Sequence, residues 1–199
     1  MKIGLVPLHA GNLGSLTASL KRLGHTVVYW NTAADIRAVD WVVFPGVGAM
    51  RDVTADLERR GLLRPLEDMR AEGQPFLGIC LGMQLWFETA EEGGQGLGWF
   101  RGSVPRLEAP VLPHIGWNHW EATPATPRWL RAYADQCFYF VHSYRVAPVD
   151  ETQVVGLTAY GGVFPSIILD RGFIGTQFHP ELSGEVGQAL LQDIFTQLA

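Results

Sequence analysis

The chain has 199 residues, 47% of them hydrophobic and 18% charged, with a formal net charge of -5. That is the composition of one ordinary domain with apolar residues enough for a substantial core, and no broad basic face is implied, which argues against nucleic acid as a partner. Two cysteines, Cys80 and Cys137, are too few for a disulfide framework, no stretch reaches transmembrane length, and Met1 to Pro7 is too short and too broken by Gly and Pro for a secretory signal, so a cytoplasmic chain with no membrane contact is expected.

In chain order, Lys2 to Pro7 is a short apolar run, and Asn12 to Leu23 carries Leu13, Leu16, Leu20 and Leu23 at helical spacing. Thr26 to Trp30 is a β-branched and aromatic strand. Trp41 to Phe44 reads as a buried strand ending in Pro45-Gly46-Val47-Gly48. Met50 to Glu72 is mostly helical, interrupted near Gly61 and Pro65. Phe76 to Cys80 is a further apolar strand, and Leu81 to Glu88 the helix after it. This β-α alternation predicts a parallel sheet with helices on both faces.

The second half is broken more often by Gly and Pro. Trp99 to Leu107 and Pro113 to Ala122 are interrupted segments. Phe138 to Val146, Thr152 to Ala159, Ser166 to Leu169 and Phe173 to Phe178 read as strands with tight turns, with Asp170-Arg171-Gly172 as a hairpin turn. Glu185 to Leu198 is an amphipathic helix with Val186, Leu190 and Ile194 on one stripe. No internal repeat or low-complexity linker divides the chain. The expectation is a single α/β domain over 1–199, a central mostly parallel mixed sheet between helices. Cys137, before Phe138-Tyr139-Phe140, reads as a packing residue. Of seven tryptophans, Trp117 and Trp120 lie in a polar setting that suggests a binding surface.

The most informative residue is Cys80. In Gly78-Ile79-Cys80-Leu81-Gly82 an apolar strand turns into a helix at a cysteine between two glycines, the sulfur version of the nucleophile elbow. At a helix N-terminus the dipole and free N–H groups favour negative charge on sulfur, and the Leu81 N–H is aimed at a developing oxyanion. An ordinary buried cysteine fits the same run when it is taken alone. Downstream, Gln177-Phe178-His179-Pro180-Glu181 adds a base and a carboxylate two residues apart. If that segment is extended, His179 and Glu181 face the same side, stiffened by Pro180. Thiol, imidazole and carboxylate together make the arrangement for nucleophilic catalysis. Sites in open α/β sheets form outside the C-terminal strand ends, where both Cys80 and Pro45-Gly46-Val47-Gly48 belong. That second loop is either a plain turn or a means of aiming a peptide N–H at a bound carbonyl. The phosphate-loop pattern and zinc spacings are absent.

Together these segments resemble the class I (triad) glutamine amidotransferases, and within them the glutaminase subunits of imidazole glycerol phosphate synthase. The elbow and the His179-Pro180-Glu181 end carry the class. Pro45-Gly46-Val47-Gly48, Met83, and His114-Ile115-Gly116-Trp117-Asn118 carry the narrower likeness, with Tyr139-Phe140-Val141-His142-Ser143-Tyr144 and Phe164-Pro165-Ser166 in support. The resemblance covers nearly the whole chain and implies a flavodoxin-like three-layer fold.

Carried onto these positions, it implies Cys80 as nucleophile, His179 as base and acid, and Glu181 as the group that orients His179. It implies an oxyanion hole from the N–H groups of Val47 and Leu81. It implies a glutamine site formed by Gly48, Gln84, Glu92, Ser143 and Tyr144, and a docking face with Trp117, Asn118 and Tyr139. The partner implied is a (β/α)8-barrel cyclase in a heterodimer, the substrate L-glutamine, and no metal or organic cofactor. Two positions depart from the pattern: an Asp-Tyr pair is missing from Pro7 to Asn12, and Leu182 stands where relatives often carry Lys. The glutaminases of pyridoxal phosphate synthase and anthranilate synthase, a binding-only member of the fold and a general cysteine hydrolase are the alternative readings.

Overall fold

The computed structural model describes residues 1–8, 13–46 and 48–198. In chain order the first half contains β1 (Lys2–Leu5), α1 (Leu13–Arg22), β2 (Thr26–Tyr29), β3 (Trp41–Phe44), α2 (Met50–Arg59), α3 (Leu63–Ala71), β4 (Phe76–Ile79) and α4 (Leu81–Gln84). The second half contains β5 (Thr89–Ala90), β6 (Gly102–Val104), β7 (His114–Asn118), β8 (Glu121–Ala122), α5 (Arg128–Arg131) and β9 (Phe138–His142). It ends with β10 (Ala147–Pro148), β11 (Val154–Ala159), β12 (Val163–Asp170), β13 (Phe173–Thr176) and α6 (Gly184–Gln197).

Eight strands form the central sheet in the order β2-β1-β3-β4-β13-β12-β11-β8. From β2 to β13 neighbours are parallel, and from β13 to β8 they are antiparallel. Two small sheets stand apart, β10-β6-β5 and the ribbon β7-β9. The layers follow from side-chain alternation along the strands. Ile3, Leu5, Trp41, Val43, Leu77 and Ile79 point to one face, where Leu16 and Leu20 of α1 and Leu190, Leu191 and Ile194 of α6 meet them. Val42, Phe44 and Phe76 point to the other, against Met50, Val53, Leu57 and Leu66 of α2 and α3. Helices therefore cover both faces, and the expected three-layer α/β fold is present.

Several expected boundaries move, each for a local reason. Pro65 does not interrupt a helix; it sits in the first turn of α3, where a missing N–H costs nothing. The helix expected to reach Glu88 stops at Gln84. The N–H groups of Trp86 and Phe87 fall back to the i−3 carbonyls of Met83 and Gln84, and the Glu88 N–H bonds instead to Gly102 O at 3.2 Å. β12 extends beyond Ser166–Leu169 in both directions. The hairpin at Asp170-Arg171-Gly172 has Arg171 at φ 43° and Gly172 at φ 89°, the paired left-handed residues of a two-residue turn. Cys137 lies before β9 and is exposed, so it is not a packing residue. Trp120 is fully buried and packs against Gly156 and the large cluster, so it belongs to the core; Trp117 is 59% exposed.

Candidate active site

Cys80 stands at the end of β4 with φ 52° and ψ -108°, a conformation that non-glycine residues rarely hold and that costs on the order of 1–3 kcal/mol. The surrounding structure holds it there. Its N–H donates to Thr176 O at 2.6 Å, continuing the β4-β13 ladder, and its carbonyl accepts from both Met83 and Gln84 N–H at 3.1 Å. The glycines serve close approach. A Cβ on Gly46 would lie 1.8 Å from Ile79 O, and one on Gly82 would lie 2.2 Å from Phe44 O. The end of β3 and the elbow thus interlock backbone to backbone. Leu81 opens α4, so its N–H has no intrahelical acceptor.

β13 runs parallel beside β4, with Thr176 opposite Ile79, so the chain leaving β13 passes the sulfur. His179 is fully buried and its Nδ1 lies 2.8 Å from Glu181 Oε1. The expected extended segment is absent: Pro180–Leu182 forms a 3-10 turn with Pro180 at its start, and this turn, not strand alternation, brings the two side chains together. The carboxylate accepts the Nδ1 hydrogen, so in the neutral ring Nε2 is the basic nitrogen. Nε2 is buried without a hydrogen-bond partner among the described residues. Burial lowers the His179 pKa; the Cys80 sulfur and the Glu181 carboxylate outweigh it and raise the value to about 10.

Cys80 Sγ is 3.9 Å from Val141 O on β9 and receives the Gln177 amide at 3.4 Å. Gln84, buried on α4, donates to Tyr144 O at 2.9 Å and to Gln177 Oε1 at 3.0 Å. Gln84 and Tyr144 are therefore brought together beside the sulfur. Ser143 lies next to them, its carbonyl accepting from Leu107 N–H at 2.9 Å. Glu92 takes a different partner from a substrate: its Oε1 accepts from Met50 N–H at 2.7 Å, capping α2 in place of Ala49, which has no side chain to do so. That bond fixes the chain just after Gly48, which has φ 125°. Val47 and Asn12 lie outside the described residues. Trp117 and Tyr139 face each other across the β7-β9 ribbon with ring centroids 6.0 Å apart. The Asn118 amide is tied to Ala159 O at 3.1 Å and to His119 N–H at 2.9 Å. Among the described residues no group of three or more His, Cys, Asp or Glu gathers to hold a metal ion.

The sequence reading missed Gln177 and the facing pair His114 and His142. A polar side chain at the end of an apolar strand, two residues before His179, was a usable signal for Gln177. The histidines had none, because their pairing depends on the register of two distant strands.

The model of the family described as glutamine amidotransferase class-I matches residues 7–198. The imidazole glycerol phosphate synthase subunit HisH of Methanopyrus kandleri is 44% identical over 201 residues, covering 98% of each chain. The HisH subunit of Moorella thermoacetica is 41% identical over 196 residues, covering 96% of this chain and 92% of its own. The chain belongs to the class I glutamine amidotransferases, in the HisH family. Among solved structures, one described as a glutamine amidotransferase aligns with a TM-score of 0.76 at 16% identity over 98% of both chains. The Thermotoga maritima PurLQS structure aligns with a TM-score of 0.75 at 16% identity, covering 100% of this chain and 99% of that one. At those identities the likeness is one of fold, and it supports the class I architecture. No described helix is long and apolar enough to cross a membrane.

Proposed function

We propose that this chain is the glutaminase subunit of an imidazole glycerol phosphate synthase, working in the cytoplasm as one domain over 1–199. It hydrolyses L-glutamine and passes ammonia to a (β/α)8-barrel cyclase in a heterodimer. There the ammonia converts a phosphoribulosyl aminoimidazole intermediate into imidazole glycerol phosphate and an aminoimidazole carboxamide ribotide. The observation that carries this reading is the buried His179–Glu181 pair, 2.8 Å apart, beside a cysteine held at φ 52° on a strand-to-helix turn.

In the mechanism, His179 Nε2 takes the Cys80 thiol proton before glutamine is attacked, as its raised pKa implies, and Sγ then attacks the side-chain amide carbon. The oxyanion of the tetrahedral intermediate is received by the Leu81 N–H and by the Val47 N–H. Collapse breaks the C–N bond, His179 returns its proton to the leaving nitrogen, and ammonia departs from a thioester. Water, deprotonated by His179, then releases glutamate and restores the thiol. Glu181 stabilises the imidazolium in both half-reactions and takes no proton. Gln84, Tyr144, Ser143, Glu92 and the backbone at Gly48 hold the glutamine, with Glu92 exchanging Met50 N–H for substrate. The outward aromatic pair Trp117 and Tyr139, with Asn118 beside it, docks the cyclase.

The isolated chain is a poor glutaminase in this reading, and the partner switches it on. Gly46 and Gly48 flank Val47 and let the Gly46–Val47 peptide adopt the orientation that points N–H at the oxyanion. The test is glutamate release by the chain alone, with the cyclase, and with cyclase plus its nucleotide ligand. Co-purification and a rise of roughly 10²–10³, the worth of one oxyanion donor, is expected. A maximal rate from the chain alone overturns the switch, and no hydrolysis in any mixture overturns the glutaminase reading.

A further inference from the structure

One line of polar groups leads away from Cys80 to the outer ribbon. Gln177 is fully buried; its Nε2 donates to Cys80 Sγ at 3.4 Å and its Oε1 accepts from Gln84 Nε2 at 3.0 Å. Gln84 Nε2 also donates to the Tyr144 carbonyl at 2.9 Å. The same carbonyl lies 2.8 Å from His142 Nδ1. His142 Nε2 is 3.1 Å from His114 Nδ1, and His114 Nε2 is 3.4 Å from Asn118 Nδ2, at the outer ribbon.

One set of proton positions satisfies the whole line. A carbonyl only accepts, so His142 Nδ1 carries its hydrogen. His142 Nε2 is then a bare acceptor, so His114 Nδ1 carries a hydrogen, and His114 Nε2 accepts from the Asn118 amide. Burial holds both rings neutral near pH 7, lowering His142 to about 3 and His114 to about 4. The polarity continues inward. Both Gln84 N–H groups are committed, so Gln177 must present Oε1 to Gln84 and its own N–H to the sulfur. Reversed, Gln177 would put a carbonyl oxygen against a sulfur that carries negative charge during attack. The rings lie among Phe140, Phe164 and Tyr160, where apolar side chains would pack without the cost of burying polar atoms.

We propose that His142 and Gln177 are positioning residues: His142 holds the Tyr144 carbonyl in place as the acceptor that orients the Gln84 amide, and Gln177 passes that orientation on to Cys80 as an N–H donated to the nucleophile. The catalytic consequence rests on the glutaminase reading; the geometry and the effect on the thiol do not.

The two arms are read separately. In the complex with the cyclase, His142→Asn keeps a donor at the Nδ1 position, whereas His142→Gln reaches only the Nε2 position and leaves the Tyr144 carbonyl held by Gln84 alone. His142→Gln is expected to lower kcat/KM for glutamine about tenfold, chiefly through KM, and His142→Asn to recover most of it, the loss of one buried hydrogen bond setting the scale. Equal loss in both, or loss in neither, overturns the His142 arm, since a space-filling role would penalise the smaller Asn more. For Gln177, iodoacetamide alkylation of Cys80 in the folded chain is followed by mass spectrometry, with exposed Cys137 as internal reference. Gln177→Met is expected to slow Cys80 roughly threefold, a tenfold loss of ionised sulfur half offset by its greater nucleophilicity, and to leave Cys137 unchanged. Gln177→Asn, which withdraws the amide from the sulfur, repeats the measurement where Met does not fold. An unchanged Cys80 rate overturns the Gln177 arm. Alkylation needs no turnover, so a changed rate in a chain that fails to hydrolyse glutamine would refute the glutaminase reading and leave this one standing.

Discussion

A methyl group on Gly46 would lie 1.8 Å from the carbonyl oxygen of Ile79, the residue before the nucleophile. The end of β3 is thereby seated against the elbow with no room for a side chain, and any added atom must push the two apart. Gly46→Ala is expected to cost about 1–3 kcal/mol of stability, the usual range for forcing an extra carbon into a packed site. It should lower glutamine hydrolysis further than that loss explains, because Cys80 moves with Ile79. Urea unfolding and glutamate release on the same preparation check both. A fully active, equally stable variant would mean that the interlock is slack.

The His179–Glu181 pair makes a graded prediction. If Glu181 orients and stabilises the imidazolium without taking the proton, Glu181→Gln loses less than His179→Ala. Loss of the base is expected to reduce kcat by on the order of 10⁴–10⁶, and loss of the orienting carboxylate by at least about tenfold less. Steady-state glutaminase assays of the two variants in the complex, with circular dichroism as the folding control, measure the ratio. Equal or greater loss in Glu181→Gln points to a different proton carrier.

Much of this site was legible before the fold. The apolar runs ending at Phe44 and Cys80, separated by helical spacing, place both loops at one sheet edge, and the glycine spacing around Cys80 marks the elbow. The His179–Glu181 contact was expected for a partly mistaken reason: Pro180 starts a 3-10 turn where an extended segment was expected. What stayed hidden depends on distant partners. α4 ends early because the Glu88 N–H bonds to Gly102 O on β6 and the residues before it tighten to i−3 bonds. Trp120 is buried against Gly156 of β11, not by its polar neighbours in sequence. α5 spans Arg128–Arg131, too short to show a helical period. The pairing of His114 with His142 exists only in the register of β7 against β9.

That histidine pair also predicts acid sensitivity. Desolvation lowers His114 to about 4, and desolvation, with the nearby His114 and His179 charges, lowers His142 to about 3 despite the raising effect of its bond to Tyr144 O. His25, lowered first by burial, acts in the same sense. The unfolded chain takes up these protons near pH 6.5 and the folded chain refuses them, so stability falls as pH drops from about 6.5 toward 4. His179, raised to about 10, stays protonated in the folded chain over that window and adds only a small opposing slope near its top; its contribution is fully present below 6.5 and lost as pH rises through about 10. Between pH 6.5 and 5 the loss is expected to be roughly 1–2 kcal/mol for each depressed imidazole of the pair. Urea midpoints at the two pH values check it, and His114→Gln should flatten the slope. An unchanged slope would mean that the pair is not held neutral.

The outer ribbon carries a binding prediction. Trp117 is 59% exposed and packs edge-on against Tyr139, and we propose it as an aromatic anchor for the cyclase. Trp117→Ala is expected to weaken cyclase binding by about 2 kcal/mol or more, the range of an interface hot spot, and to leave the thermal stability of the isolated chain within about 0.5 kcal/mol. Titration calorimetry with the cyclase separates this from a surface tryptophan of no consequence, which would leave affinity unaltered.

The central claim is that Cys80 is the nucleophile that frees ammonia for the partner. The most direct test reconstitutes Cys80→Ala with the cyclase and follows imidazole glycerol phosphate formation from glutamine and, separately, from added ammonium. The glutamine-dependent reaction is expected to be abolished, a fall of on the order of 10⁴-fold or more for loss of a nucleophile, while the ammonium-dependent reaction proceeds at the wild-type rate. Cys137→Ala, removing the exposed thiol, should leave both intact. Near-normal glutamine-dependent synthesis by Cys80→Ala would mean that Cys80 is not the nucleophile.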